Sequence, residues 1–63
     1  MNKLELRSMV DAGLRSRMGT DYGTVQRVDK VDPVTTSPDF ELEVEAVDPA
    51  GTPRVFRISF REV

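Results

Sequence analysis

Phe40-Glu41-Leu42-Glu43-Val44-Glu45-Ala46-Val47 places apolar and acidic side chains on alternate positions. Successive side chains of an extended strand point to opposite faces, so this run makes a strand with one apolar and one carboxylate face. Arg54-Val55-Phe56-Arg57-Ile58-Ser59-Phe60-Arg61 repeats the pattern with the opposite charge. Between the two runs lies Asp48-Pro49-Ala50-Gly51-Thr52-Pro53, rich in turn formers. The pair therefore predicts an antiparallel hairpin. Matching charges predicts the register: Val44 opposite Ile58, Ala46 opposite Phe56, Leu42 opposite Phe60, with Glu45 facing Arg57 and Glu41 facing Arg61. A shift by one residue would expose the core face, and a shift by two leaves a poorer charge match.

Ahead of the hairpin, residues 3–18 have helical spacing. Leu6, Val10 and Leu14 recur every fourth position with Met9 beside them, and Arg7, Ser8, Asp11 and Arg15 are expected on the opposite, solvated side. Asn2 suits the N-cap with Glu5 in the capping-box position, and Gly19 suits the stop. Gly13 falls on the apolar stripe, where its expected purpose is close approach of helix to sheet. Residues 24–31 predict a further strand whose valines break parity: Val25 and Val31 share one face and Val28 takes the other. Either a β-bulge near Gln26-Arg27 restores them to one side, or both faces are partly covered. Asp32 to Asp39, with Pro33 and Pro38, reads as a loop.

The expectation is an α+β fold over residues 1–63, a single domain with one N-terminal helix packed on a three-stranded antiparallel β-meander (αβββ). Its expected core is Leu6, Val10, Leu14, Val25, Phe40, Leu42, Val44, Ala46, Phe56, Ile58 and Phe60, with Met9, Met18 and Tyr22 sealing the edges. There is no internal repeat. At 63 residues the core is small, and with no cysteine or histidine neither disulfides nor the usual zinc sites can supplement it. Self-association, most simply a homodimer, is the expected remedy. No apolar run approaches membrane-spanning length, and the charged start, Met1-Asn2-Lys3-Leu4-Glu5-Leu6-Arg7, lacks the apolar stretch of an export signal, so a cytoplasmic product without membrane contact is expected.

The same composition argues against catalysis. Without His or Cys the commonest base and the strongest nucleophile are missing, no serine sits in a strand–turn–helix elbow, and no glycine-rich phosphate cradle occurs. No cofactor or metal is expected, and Asp29-Lys30-Val31-Asp32 does not match a calcium loop. Glu41, Glu43 and Glu45 read as a solvated strand face balanced by Arg57 and Arg61 rather than a catalytic set.

What remains is binding. Two open sheet edges invite strand addition, and Val31, Val47 and Val55 lack an obvious place in the core. Together with Glu41, Glu43, Glu45, Arg57 and Arg61 they form the candidate interaction residues, with edges at Val25 to Val31 or Arg54 to Arg61 making the contact. The expected role is a small accessory or regulatory protein acting on a protein partner. The alternative is nucleic-acid binding through Lys3, Arg7, Arg15, Arg17, Arg54, Arg57 and Arg61. Against it stand a net charge of −2 and the absence of an exposed aromatic platform. Thr24-Val25-Gln26-Arg27-Val28, Glu41-Leu42-Glu43-Val44 and Ala50-Gly51 make the chain loosely similar to helix-plus-meander modules of PepSY type. Its helix and three strands are also similar to part of a double-stranded-RNA-binding domain, though without the second helix and its basic cluster. These are generic hairpin features, and neither family is assigned on them.

Overall fold

The computed structural model describes residues 1–18 and 24–63. It has the element order α1 (Lys3–Arg15), β1 (Val25–Val31), β2 (Phe40–Val47) and β3 (Pro53–Phe60). The strands form one antiparallel sheet in the order β1-β2-β3 with the helix packed on one face, the αβββ meander expected from the sequence. Gly19 and Tyr22, expected as the helix stop and an edge seal, lie outside the described residues.

Helix α1 begins where its cap places it. The Asn2 side-chain oxygen accepts from the Glu5 backbone N–H at 2.9 Å, which satisfies one of the four amides that a helix start leaves without partners. Its end comes earlier than expected, with Ser16 as C-cap, and residues 16–18 continue as turn.

The hairpin loop sets the β2–β3 register. Asp48 accepts at its side chain from the backbone N–H of Ala50 (3.0 Å) and Thr52 (2.9 Å), and Gly51 N–H donates to the Asp48 carbonyl at 2.8 Å. Gly51 has φ +84°, a left-handed conformation that glycine adopts without steric cost. The chain therefore reverses between Asp48 and Thr52. Val44 then pairs with Phe56, Leu42 with Ile58 and Phe40 with Phe60. This corrects the charge-matched register by two residues. Alternation of faces survives the shift; the charge partners do not.

In β1 the bulge alternative is the one realised, with the register shifting between Val25 and Arg27. The bulge turns Val28 inward, where it is among the most buried side chains, although Val28 was absent from the expected core. The core proper is Val28, Leu42, Val44 and Phe60, with Val10, Leu14, Val25 and Ile58 packed against it.

Two expectations about the helix are corrected. Its buried residues are Arg7 and Asp11, placed by the sequence on the solvated side, while Leu6 is 43% exposed and Met9 58% exposed. At 100° per residue this is a rotation of roughly 50° from the expected stripe. The physical reason lies on β1. Arg7 donates to the Val31 carbonyl and to Asp32, both at 3.0 Å, and its guanidinium lies 5.1 Å from the centre of the Phe40 ring. Asp11 receives Arg15 at 2.8 Å and lies 4.0 Å from Lys30 of β1. These charged contacts turn the helix toward β1 and away from β3. Accordingly Phe56, expected in the core, is 54% exposed. Gly13 is the second correction: an added Cβ would meet nothing within 4 Å, so no close approach requires it.

Candidate interaction surface

The two faces of the sheet carry different chemistry. On the face away from the helix, the odd-numbered residues of β2 and β3 form an ion-pair lattice. Glu43 stands at its centre, receiving Arg27 of β1 at 2.9 Å and Arg57 of β3 at 2.8 Å. Glu41 accepts from Arg57 at 3.2 Å and from the Ser59 hydroxyl at 2.8 Å. Glu45 faces Val55 and lies 3.9 Å from Arg27, rather than facing Arg57 as expected. Arg61 reaches Asp39 at 2.7 Å, not Glu41. Arg27 also bonds Asp29.

The paired guanidiniums hold the Glu43 carboxyl below the usual glutamate range, Arg27 contributing most. Arg61 does the same to Asp39. Asp48 is lowered chiefly by the Thr52 amide, with Arg54 adding to it. Arg57 is raised in turn, mainly by Glu43. These groups stay in contact with water, which screens their pairing. The lattice selects register and partner strands more than it stabilises the fold.

The candidate residues are spread over this face rather than gathered. Val31 ends β1 opposite Glu41, Val47 ends β2 opposite Pro53, and Val55 is exposed on β3 opposite Glu45. Val31 and Val55 stand on the two outer strands, with β2 between them.

The sheet edges differ more than its faces. β1 is bulged, and its outward Val28 carbonyl accepts from Arg15 of the helix. A bulge and inward-reaching charges are established ways of blunting an edge. On the other side, no described segment pairs with the outer edge of β3. The hydrogen-bond phase identifies which of its groups are open. Asp48 N–H donates to the Thr52 carbonyl at 3.0 Å, so the even-numbered residues of β3 bond back to β2, and the N–H and C=O groups of Val55, Arg57 and Ser59 point outward. Pro53 shares that outward phase, so its missing N–H costs no ladder bond.

On the helix face of β3 stand Phe56 and Ile58, and on the flank of α1 turned away from β1 stand Leu6 and Met9; the sequence assigned Phe56, Ile58 and Leu6 to the core and Met9 to its edge. Two cavities bracket Ile58. One of about 200 Å³ is lined by Met1, Lys3, Leu6, Phe60 and Glu62 among others. Another of about 190 Å³ lies between Ala46, Val47, Arg54 and Phe56. The sequence held a signal for this exposure: Leu6, Met9 and Gly13 share one flank of the helix, which only a rotation toward β1 exposes.

Compared with known families, curated proteins and solved structures, the chain matches none. No helix among the described residues is long and apolar enough to cross a membrane, and no described group of three or more acidic side chains is placed to hold a metal ion.

Proposed function

We propose that this chain is a small, non-catalytic interaction module of the cytoplasm that self-associates and acts as an accessory or regulator of a protein partner. One observation carries the reading: Phe56 is half exposed on β3, whose outer edge no described segment pairs with, and Leu6 and Met9 are half exposed on the helix that packs over the same face. In a chain whose buried core has four residues, exposing a phenylalanine beside an open edge is a cost that a bound strand removes.

The arginines support this reading over nucleic-acid binding. Arg7, Arg15, Arg54, Arg57 and Arg61 each already hold an acidic side chain. Phosphate contacts would have to compete with those bonds, and the net charge of −2 offers no steering field.

The test is light scattering over a concentration series beside a heparin column at low salt. Mass rising toward twice 7.1 kDa with flow-through from heparin supports the proposal. A constant monomer mass with retention and steep salt release overturns it in favour of nucleic acid.

A further inference from the structure

We propose that the occupant of the β3 edge is a second copy of the chain, joined β3 to β3 in antiparallel fashion about a two-fold axis through Ile58. This rests on the self-association proposed above and specifies its geometry. A continuous sheet about an axis normal to it keeps each side chain on its own face, so only residues of like parity can stand opposite each other. Three registers are then close at hand. An axis at Arg57 opposes two guanidiniums. An axis at Phe56 sets Arg54 against Ile58. The axis at Ile58 leaves no such conflict.

In that arrangement Arg57 pairs with the partner's Ser59 and Val55 with the partner's Arg61. Val55, Arg57 and Ser59 belong to the outward-bonding phase of β3, and Arg61 continues it one residue past the end of the strand. Pro53, which has no N–H to give, falls just outside the pairing. Even-numbered residues form the non-hydrogen-bonded pairs, whose Cα atoms approach to about 4.5 Å and whose side chains touch most closely. These are the apolar ones. Ile58 meets the partner's Ile58, and Phe56 meets the partner's Phe60.

The pockets beside these phenylalanines fit the same axis. They lie on either side of Ile58, one beside Phe60 and one beside Phe56, so the two-fold sets each against the other in the second copy. Phe56 of one copy is brought to the 200 Å³ cavity walled by the partner's Phe60 and the partner's Leu6. Charge agrees as well. Arg54, which holds Asp48 of its own chain at 3.1 Å, comes opposite the partner's Glu62, an exposed acid two residues past the end of β3. Both helices lie on one face of the resulting six-stranded sheet, flanking the joined β3 strands.

The test uses surface variants and their mixture, followed by sedimentation equilibrium, with circular dichroism to establish that each remains folded. Arg54→Glu alone and Glu62→Arg alone each set like charges opposite each other twice per dimer and weaken it. Mixed in equal amounts they restore two opposite-charge pairs, so the mixture regains the wild-type mass. Phe56→Ala weakens the dimer by about 30-fold or more, as loss of a buried aromatic anchor does. A dimer that tolerates Phe56→Ala, or variants that fail to rescue each other, overturns this pairing while leaving self-association standing. A wild-type chain that stays monomeric overturns both, and points to a strand from another protein at the edge.

Discussion

Leu42, third in β2, and Phe56, fourth in β3, occupy the same face of the sheet, yet their replacement by alanine is expected to have very different consequences. Leu42 is fully buried, at 0% exposure, among Val28, Val44 and Phe60. Removing a leucine side chain from such a site costs about 3–5 kcal/mol, transfer and cavity together. A 63-residue domain has about 3–9 kcal/mol in all at roughly 0.05–0.15 kcal/mol per residue. Leu42→Ala therefore removes a third or more of the stability and shifts the urea midpoint by about 3 M or more at a slope near 1 kcal/mol/M. Phe56, half exposed because the helix leans toward β1, leaves no enclosed cavity when truncated. Its cost in the dissociated chain is about 1 kcal/mol, taken from the share of its surface already in water. The assay is urea unfolding followed by far-ultraviolet circular dichroism, at a protein concentration low enough to keep the chain monomeric, because dimerisation adds stability by mass action. Equal losses for the two variants in the monomer would mean that the helix covers β3 after all, and the argument from the uncovered Phe56 would fall.

Three further outcomes follow from the same geometry. Gly13→Ala should stabilise by about 1 kcal/mol and raise Tm by about 4–8 °C, because the new methyl meets nothing and the helix loses a flexible residue; a loss of stability in thermal scans would contradict the open flank. Gly51→Ala should destabilise by about 1–2 kcal/mol, because φ +84° forces its Cβ into the left-handed region, and an unchanged urea midpoint would refute the role of the loop in setting register. Glu43, Asp39 and Asp48 all have folded-state pKa values below their unfolded ones, so they bind fewer protons folded than unfolded. Their contribution is present above the ordinary carboxylate range and is lost as pH falls through and below it. The urea midpoint should therefore drop on acidification, less so in Glu43→Gln, and a midpoint that rises instead would contradict the lattice.

How much of this was legible in the chain depends on the range of the interaction. The faces of β2 and β3 follow from a period of two, which is local, and Leu42 and Val44 are buried as that period requires. The bulge was legible because Val28 broke the parity of Val25, although only the structure decided between a bulge and a strand covered on both sides. Register was not legible from charge, because the estimate balanced two strands and β1 brings a third set of charges. Arg27 serves Glu43 and Glu45 from the far side, and the Asp48 loop bonds set where the chain reverses. The helix face was missed for a related reason. Spacing alone puts Leu6 inward and Arg7 outward, and nothing near Arg7 in sequence announces that its partners are the carbonyl of Val31 and the side chain of Asp32, 24 and 25 residues away.

That displacement of the helix links fold to interaction. A three-stranded sheet has two edges and one helix to guard them. Here the helix spends its charged side chains on β1: Arg7 and Arg15 take backbone carbonyls, and Asp11 and Lys30 approach across the contact. Arg7 is buried at 6% exposure with its Nε lacking a partner, a desolvation cost that burying Leu6 and Met9 in its place would have avoided. An apolar helix face would have packed over the centre of the sheet and covered Phe56. The polar one guards a single edge and leaves Phe56, Ile58 and the outward backbone groups of β3 together on the other. The same few contacts that blunt one edge thus open the second, and the asymmetry is what gives so small a domain one defined direction in which to bind.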